Sequence, residues 1–418
     1  MYISAPVHLA IIKQCHIQFN AMVALRRALH QHPELSGEES WTAATLKSEL
    51  EKLGWEVRPR MGGHSLVADW ITDPSKPTVA LRVDMDGLPI HEVNEVPYRS
   101  TILGVMHACG HDVHSAIGIG VAGVITALGD AVPGNIRILF QAEEEEITGA
   151  LRMIRAGALT NPKPAAIFGL HVSPFPCGKV AWTDGLFLSG FQHYLVTLFP
   201  KEGWQGPESR LDDIAERCCR AIRDFNIWQL PETWPEMQRY CDLMQEGPPA
   251  LAKFTTFEAS RNPEHPEAWP GQFGVGIKAA NAHLSRAALG KIKATLNTLC
   301  AVAHVGYRLE SVGFMPDMRN DPELVQKTLP DLKTAFSSDL LHVKATFPFN
   351  CEDFTFYTRT VPGAMVWLGG ADPQHGKYAM LHTPNFDVDE DCLVVGARAM
   401  TTLLLSALSA LNSGRITR

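Results

Sequence analysis

Short, almost wholly apolar runs in the first part of the chain predict buried strands. Thr78–Val83, Ile136–Phe140 and Ala165–Leu170 are each bounded by turn-forming or polar residues. Such runs are typical of strands buried on both faces of a sheet. Ser115–Leu128 is rich in Gly and Ala and predicts a buried helix between the first two strands. Strands that alternate with helices indicate an α/β fold with a mostly parallel sheet.

The chain divides into two sections of this character and a different middle. Further helices are predicted at Phe19–His30, Ser40–Leu53 and Cys392–Leu411. The middle contains Pro-rich turns, and its alternating runs predict strands at His193–Phe199 and Val305–Glu310. We therefore predict a two-domain protein, in which a larger domain of residues 1–185 and 315–418 is interrupted by a smaller α+β insert of residues 186–314.

Composition and charge exclude several classes of protein. The chain is 45% hydrophobic and 20% charged, as is ordinary for a soluble globular protein, and its net charge is −8. No basic stripe is visible, so we expect no binding to nucleic acid. Ser115–Gly129, with about 15 residues, is shorter than the roughly 20 that a membrane span needs. The N-terminus has no signal-peptide pattern. Nine cysteines without framework spacing indicate reduced thiols and a cytoplasmic protein.

Acidic residues and a histidine follow the three apolar strands. Asp84 and Asp86 come after the first, the run from Glu143 to Glu146 closely follows the second, and His171 follows the third. In open α/β sheets, ligands bind beyond the carboxyl ends of the strands. We therefore expect these side chains to share one rim of the sheet.

The segment from His107 to His114 concentrates residues that bind metal ions. It holds three His, one Cys and one Asp before the predicted buried helix, and His382 lies in a later turn. Thiolate, imidazole and carboxylate ligands suit zinc or a similar divalent ion. Each feature alone has a simpler interpretation: Cys109 as a core thiol, His171 as a hydrogen-bonded core residue, the glutamates as a solvated surface. Their combination at strand ends favours a metal site.

Seven motifs in this order closely resemble the metal-dependent amidohydrolases related to aminoacylase and carboxypeptidase G. They are Leu29–Ser36, Arg82–Pro89, His107–His114, Phe140–Gln141, Gly169–His171, Glu352–Phe354 and His382–Phe386. The nearest subgroup includes the hippurate hydrolases and the plant indoleacetyl-amino-acid hydrolases. The resemblance covers about residues 22–185 and 314–400, and the middle matches poorly.

The resemblance implies a metallohydrolase catalytic domain that binds two divalent ions, which are zinc, manganese or cobalt. It implies the metal ligands Cys109, His111, Glu145, His171 and His382. It further implies Glu144 as the general base that activates the attacking water, and Asp84 as a residue that orients a ligand. A slip of one residue in the glutamate run would instead give Glu143 as base and Glu144 as ligand. The insert would be a lid that also forms the interface of a homodimer.

The insert departs from the family pattern at several positions. A Gly-Gly-His segment is expected, but Lys201–Pro207 places Trp204 where the histidine belongs. An Asn and a strand ending in Arg are expected later, where Asn281 fits and Lys293 replaces the Arg. Lysine still offers a point charge for a substrate carboxylate. His193 and His283 are alternative donors within the insert. Residues 225–270 have no counterpart in the family.

These observations lead to one main hypothesis and two alternatives. The main hypothesis is metal-dependent hydrolysis of the amide bond of an N-acyl amino acid or a similar small amide. The first alternative is a binding protein that retains the metal site without hydrolysis, suggested by Trp204 and Lys293. The second is an amide-forming or acyl-transfer enzyme that uses the same site.

Overall fold

The structure is a computed structural model that describes residues 3–207, 209–249, 251–261, 270–346 and 349–416. Its strands, in chain order, are β1 (Glu56–Pro59), β2 (Leu66–Trp70), β3 (Thr78–Asp84), β4 (Asn135–Gln141), β5 (Ala166–Pro176), β6 (Val180–Trp182), β7 (Leu186–Leu188), β8 (Gly190–Pro200), β9 (Thr255–Ser260), β10 (Gln272–Ala279), β11 (Val305–Met315), β12 (Met318–Arg319), β13 (Leu340–His342) and β14 (Gly363–Ala371). Its helices are α1 (Ala5–Gln31), α2 (Ser40–Lys52), α3 (His111–Leu128), α4 (Gly149–Arg155), α5 (Ser209–Arg223), α6 (Trp234–Glu246), α7 (Ala282–Val302), α8 (Pro322–Phe336), α9 (Thr355–Thr358) and α10 (Cys392–Asn412).

A mixed eight-stranded sheet forms the centre of the larger domain, with the order β1-β2-β4-β3-β5-β14-β6-β13. The four central strands, β4, β3, β5 and β14, run parallel to one another. Antiparallel pairs occur only towards the two sides of this sheet within the described residues. The mixed α/β fold with a mostly parallel sheet is therefore confirmed, and the carboxyl ends of the central strands meet at one edge.

Three long helices cover one face of this sheet. α1, α3 and α10 contact one another, and small residues in α3 let them approach closely. A Cβ added at Gly120 would lie only 2.1 Å from Met22 Sδ. By length and composition α3 and α10 are apolar enough to cross a membrane, but the windows concerned are 72% and 78% buried inside the protein. They are core helices of the larger domain. α10, with 21 residues, is longer than Ser115–Gly129, the apolar stretch that was compared with a membrane span above.

The insert has its own sheet and its own core. Its four antiparallel strands have the order β11-β8-β10-β9, and α5 and α7 pack on one face. Buried side chains of β8, α5, β9, β10 and α7 form a separate hydrophobic cluster there. The short ribbon of β7 and β12 lies where the chain passes between the domains. The exact boundaries at residues 186 and 314 stay a prediction.

Two features of the insert differ from what its sequence suggests. The prediction of a strand that ends at Lys293 is wrong, because the helix α7 spans that position. Ser285, Ala288, Ile292, Leu296 and Cys300 are buried at three- and four-residue intervals, which is the spacing of one helix face. The second feature is α6, which belongs to the insert in sequence but packs its buried side chains into the core of the larger domain.

Candidate active site

The carboxyl ends of β3, β4 and β5 place the first part of the site, as the sequence predicts. Arg82 of β3 pairs with Gly169 of β5, so Asp84 and His171 come to the same level of the sheet. His171 lies inside β5, not after it, because β5 continues to Pro176. After β4, the chain turns sharply through residues 142–148, where two non-glycine residues have positive φ.

Two further segments complete the cluster. Gly110 adopts a left-handed conformation with φ 80° directly before α3, so Cys109 and His111 are presented from either side of a tight turn. A Cβ on Gly110 would also lie 2.5 Å from Val172, so the turn and the close packing both require glycine. His382 comes from the far end of the chain, and its backbone N–H donates to the carbonyl of Ala108 at 2.8 Å.

The five predicted metal ligands meet in one cluster. Cys109 Sγ lies 3.5 Å from His171 Nε2 and 3.3 Å from His382 Nε2. Glu145 Oε1 lies 3.3 Å from His382 Nε2 and 3.8 Å from His111 Nε2. These side chains form overlapping groups that are able to hold metal ions.

The electrostatics of the cluster favour bound cations. Burial and the charges of Glu145 and Glu144 raise the pKa of the Cys109 thiol well above its usual range. Burial and the charge of His114 lower the pKa of His171 well below its usual range. Glu145 Oε1 and His111 Nε2 are buried without a hydrogen-bond partner among the described residues. The charges of Asp84 and Asp86 outweigh the effect of burial and raise the pKa of His111 to about 10. A thiol, imidazoles and an unpartnered carboxylate oxygen are ligand types that suit divalent ions such as zinc.

A second layer of hydrogen bonds fixes the orientation of these groups. Asp86 Oδ1 lies 3.0 Å from His111 Nδ1, and Asp86 Oδ2 accepts the backbone N–H of Glu145 at 3.0 Å. The sequence predicts Asp86 at the strand-end rim but predicts no role for it. Asp84, which we expected to orient a ligand, lies 2.6 Å from His114 Nδ1, and its Oδ1 is 3.8 Å from His111 Nε2; its role stays a prediction. Asp84 is also paired with the buried guanidinium of Arg82 at 2.6 Å.

The glutamate run separates into groups with different surroundings. Glu144 Oε2 lies 4.0 Å from His111 Nε2, and Glu144 Oε1 accepts the backbone N–H of Asp353 at 3.3 Å. Burial and the charges of Glu352, Glu145 and Asp353 raise the pKa of Glu144 well above its usual range. Glu143 instead pairs with Arg152 at 2.7 Å and accepts from Thr148 at 2.8 Å. This arrangement favours Glu144 and Glu145 over Glu143 and Glu144 as the pair at the site.

A cavity of about 480 Å³ opens above the cluster, between the larger domain and the insert. Its lining includes the metal-capable residues Cys109, Glu144, Glu145, His171 and His382. The insert contributes Phe191, Asn226, Trp228, Leu230, Thr256, Phe257, Glu258 and Lys278. Among the described residues, the roof therefore carries three aromatic side chains, one acidic and one basic side chain.

The three residues proposed from the family pattern to bind substrate do not line this cavity. Trp204 packs against the core of the insert, under the guanidinium of Arg210 at 5.6 Å. Asn281 is the N-cap of α7, where its side chain accepts the N–H groups of residues 283 and 284, and it lines a separate cavity. Lys293 lies on the exposed side of α7.

Neither of the alternative histidines lines the cavity. His193 is exposed on β8, with its ring stacked 5.9 Å from Phe191, and His283 is exposed in the first turn of α7. Trp204 replaces the histidine of the family's Gly-Gly-His segment. Neither His193 nor His283 takes the place of that histidine in the cavity wall.

Lys278 is a basic residue of the cavity wall that was not predicted from the sequence. It lies near the end of β10, and its Nζ contacts Glu258 Oε1 at 2.7 Å and the carbonyl of Phe349 at 2.8 Å. Burial by itself lowers the pKa of Lys278, whereas the charges of Cys351 and Glu258 raise it above its usual range. The sequence signal for Lys278 is Gly276-Ile277-Lys278, a strand that ends in a basic residue. It lies earlier in the chain than Lys293, which was expected at the family's Arg position.

The segment without a family counterpart also reaches the site. Asn226 donates to and accepts from the backbone of Phe257, both at 2.8 Å, which fixes the loop after α5 against β9. Trp228 and Leu230 follow in the cavity wall. At its other end, the carbonyl of Met244 in α6 accepts two backbone N–H groups from residues 344 and 345 of the larger domain. The segment therefore bridges the two domains beside the cavity.

The fold and the site together define a metal-dependent hydrolase, with metal-capable residues at the strand ends of an α/β domain beneath an inserted lid. A family model described as peptidase family M20/M25/M40 matches residues 80–406, and the chain belongs to this family. It is 29% identical to "IAA-amino acid hydrolase ILR1-like 5" of Arabidopsis thaliana, over 95% of this chain and 90% of that protein. It is 30% identical to "Thermostable carboxypeptidase 2" of Saccharolobus solfataricus, over 92% and 94%.

Solved structures show the same fold. The Bacillus subtilis YXEP protein, described as a dinuclear metal binding peptidase, is 23% identical over 93% of this chain and 98% of its own, with a TM-score of 0.70. A putative aminohydrolase from methicillin-resistant Staphylococcus aureus is 24% identical over 96% and 100%, with a TM-score of 0.74.

Proposed function

We propose that the protein hydrolyses the amide bond of an N-acyl amino acid or a related small amide. The observation that carries this proposal is the position of Glu144, a buried carboxylate 4.0 Å from His111 at the floor of the cavity. The names of its relatives, which include an IAA-amino acid hydrolase and the putative amidohydrolase YhaA of Bacillus subtilis, support the same reaction.

Two divalent ions fit the cluster, and we propose that zinc, manganese or cobalt occupies it. Cys109, His111, Glu145, His171 and His382 would hold them, since their donor atoms form the overlapping groups described above. When bound, such ions polarise the substrate carbonyl and make water nucleophilic at neutral pH.

Glu144 has the properties of a general base in this reaction. At this position its free oxygen would accept a proton from the attacking water and return that proton to the leaving amine. The N–H of Asp353 holds Glu144 Oε1, so the second oxygen is the one that faces His111. Asp86 keeps the His111 ring and the backbone of Glu145 in place during this transfer.

We propose Lys278, in place of Lys293, as the residue of this chain that binds the charged end of the substrate. Its Nζ lies in the wall of the cavity, whereas Lys293 is exposed on α7. A lysine binds a carboxylate as a point charge, without the bidentate geometry of an arginine.

We also propose a homodimer that forms through β11. This strand of 11 residues lies at the edge of the insert's sheet, and its outer side pairs with no other strand of the described chain. Val312 is 54% and Phe314 63% exposed there. An edge with free backbone groups and exposed apolar side chains is a template for pairing with a second copy.

A cytoplasmic location is part of the same proposal. All nine cysteines are free, which suits a reducing compartment.

The test is release of free amine from a panel of N-acyl amino acids, with the protein loaded in turn with zinc, manganese and cobalt. Glu144→Gln keeps the shape of the side chain but removes its basicity, so we expect turnover to fall at least about 10²-fold while metal binding and fold persist. Unchanged turnover in Glu144→Gln would show that another group is the base. No turnover of any amide by the metal-loaded protein would instead favour the non-hydrolytic or amide-forming alternatives.

A further inference from the structure

The roof of the cavity carries a pair of opposite charges. Lys278 of β10 and Glu258 of β9 lie on the same face of the insert's sheet, and their side chains meet at 2.7 Å. Gly276 lies directly across from Glu258 and two residues before Lys278, and a Cβ there would approach Phe191 Cε2 to 2.9 Å and Glu258 Oε2 to 3.0 Å. The glycine therefore leaves the space that the Glu258 carboxylate occupies beside the lysine.

The surroundings hold this pair at the cavity wall. Lys278 stacks its ammonium 5.7 Å from the centre of the Phe191 ring, and the carbonyl of Phe349 accepts a second of its three N–H donors. The Lys278 side chain is only 17% exposed, whereas that of Glu258 is 56% exposed. Glu258 therefore presents its carboxylate to whatever enters the cavity next to the lysine.

A pair of opposite charges selects a different ligand from a single cation. A simple N-acyl amino acid offers only a carboxylate away from its amide, and this carboxylate would be attracted by Lys278 but repelled by Glu258. A free α-amino acid head group carries an ammonium and a carboxylate on adjacent bonds, so it complements both residues. Charge complementarity of this kind gives specificity, because the wrong partner meets a like charge.

We propose that Lys278 and Glu258 recognise a zwitterionic α-amino acid head group that is separate from the amide being cleaved. This proposal rests on the proposed amide hydrolysis and narrows its substrate class. The head group is either on the amine side, as in an Nω-acyl diamino acid, or on the acyl side, as in a γ-glutamyl amide. In both cases water adds across the C–N bond, the acyl carbon gains the hydroxyl, and the nitrogen leaves with a proton as free amine.

Two matched pairs of substrates test this recognition. Nε-acetyl-L-lysine and 6-acetamidohexanoate share the same amide and carboxylate, and differ only in the α-ammonium. L-γ-glutamyl-p-nitroanilide and glutaryl-p-nitroanilide differ in the same way on the acyl side. We expect the protein to turn over the zwitterionic member of one pair with a kcat/KM about tenfold higher than that of its matched anion. The pair that shows this preference identifies the side that carries the head group.

Glu258→Gln is the decisive variant. It should abolish the preference, lowering kcat/KM for the zwitterion about tenfold through KM and raising it several-fold for the matched anion. Lys278→Met should lower kcat/KM for both members of the pair, because both carry the carboxylate that Lys278 would bind. Glu310→Gln is the matched control, because Glu310 lies in the same sheet, is 48% exposed and pairs with Arg308 at 2.9 Å, but does not line the cavity.

Binding provides a readout that does not depend on turnover. In the Glu144→Gln background, calorimetry should show tighter binding of the zwitterion than of the matched anion, and loss of that difference on adding Glu258→Gln. Equal effects of Glu258→Gln on both members, in turnover and in binding, would overturn the proposal while leaving amide hydrolysis intact. Failure of the proposed function itself would appear differently, as no Glu144-dependent turnover of any amide.

Discussion

The carboxylate of Asp86 lies behind the imidazole of His111, with Oδ1 3.0 Å from Nδ1, so that Nε2 is directed into the metal-capable cluster. The same carboxylate accepts the backbone N–H of Glu145 at 3.0 Å and the hydroxyl of Ser36 at 2.7 Å. One buried side chain therefore positions two of the five proposed ligands. Such supporting groups fix the tautomer and the orientation of a metal-binding histidine.

Replacing Asp86 should weaken metal binding without removing any ligand. We expect Asp86→Ala to lower the affinity for zinc or manganese about 10–100-fold, because His111 and Glu145 lose their support. Competition against a chromophoric chelator measures this directly. Asp130→Asn, an exposed aspartate at the end of α3, is the control and should leave the affinity unchanged. Equal affinities of Asp86→Ala and the parent protein would contradict the positioning role.

Gly149 should not tolerate a side chain. An added Cβ would lie 1.8 Å from the carbonyl of Ala142, at the base of the turn that carries Glu144 and Glu145. We expect Gly149→Ala to destabilise the protein by about 1–3 kcal/mol in urea unfolding and to reduce turnover, because the turn must shift. Gly185→Ala is the matched control, since nothing lies within 4 Å of its added Cβ. Normal stability and turnover in Gly149→Ala would show that the turn relaxes freely.

Glu39 should make the protein less stable as the pH rises. Burial raises its pKa to about 7, above the ordinary value of 4.5, although Glu39 Oε1 accepts the N–H of Glu143 at 2.8 Å. Between about pH 4.5 and 7 the folded state keeps a proton that the unfolded state has lost, so stability falls across this window as pH increases. Glu39→Gln should remove about 1–3 kcal/mol of that loss.

Urea unfolding at pH 5 and pH 8 measures this effect. Glu39→Gln should gain stability relative to the parent protein at pH 8 and little at pH 5. Glu38→Gln changes an exposed neighbour and should follow the parent protein at both values. A parallel pH dependence of Glu39→Gln and the parent protein would exclude Glu39 as the source.

The outer edge of β11 should decide the oligomeric state. Val312→Lys with Phe314→Lys places two charges on the exposed edge, and edge lysines oppose strand pairing. We expect sedimentation analysis to show a dimer for the parent protein and a monomer for this double variant. Ile227→Lys is the control, because Ile227 is 82% exposed and is not part of β11. This variant should remain a dimer. A monomeric parent protein would contradict the proposed homodimer.

Much of the larger domain could be predicted from the sequence because its signals are local. Thr78–Val83, Ile136–Phe140 and Ala165–Leu170 are continuous apolar runs, and they form most of β3, most of β4 and the first part of β5. Neighbouring parallel strands end at the same edge of a sheet, so residues that follow these runs were expected to meet. The meeting of His171 with the glutamates follows from that rule.

The insert could not be predicted to the same degree. The segment around Lys293 has residues that suit either a strand or a helix, and burial against β10 and β11 makes it the helix α7. Lys278 and Lys293 both end a short apolar stretch, and only the pairing of β10 with β8 and β9 turns Lys278 towards the cavity. The register of β10 against β8 and β9 cannot be predicted from the sequence alone.

The sequence by itself determined the α/β class, the parallel strands and the chemical types of the metal-capable cluster, because strand burial and ligand chemistry depend on residue type and short spacing. Only the tertiary structure decided which carboxylate supports His111, which lysine reaches the cavity, and that the loop after α5 forms part of its wall. Those features depend on contacts between segments far apart in the chain. Asp86 meets His111 only after the start of α3 has packed beside the end of β3, and Lys278 meets Glu258 only after β10 has paired with β9.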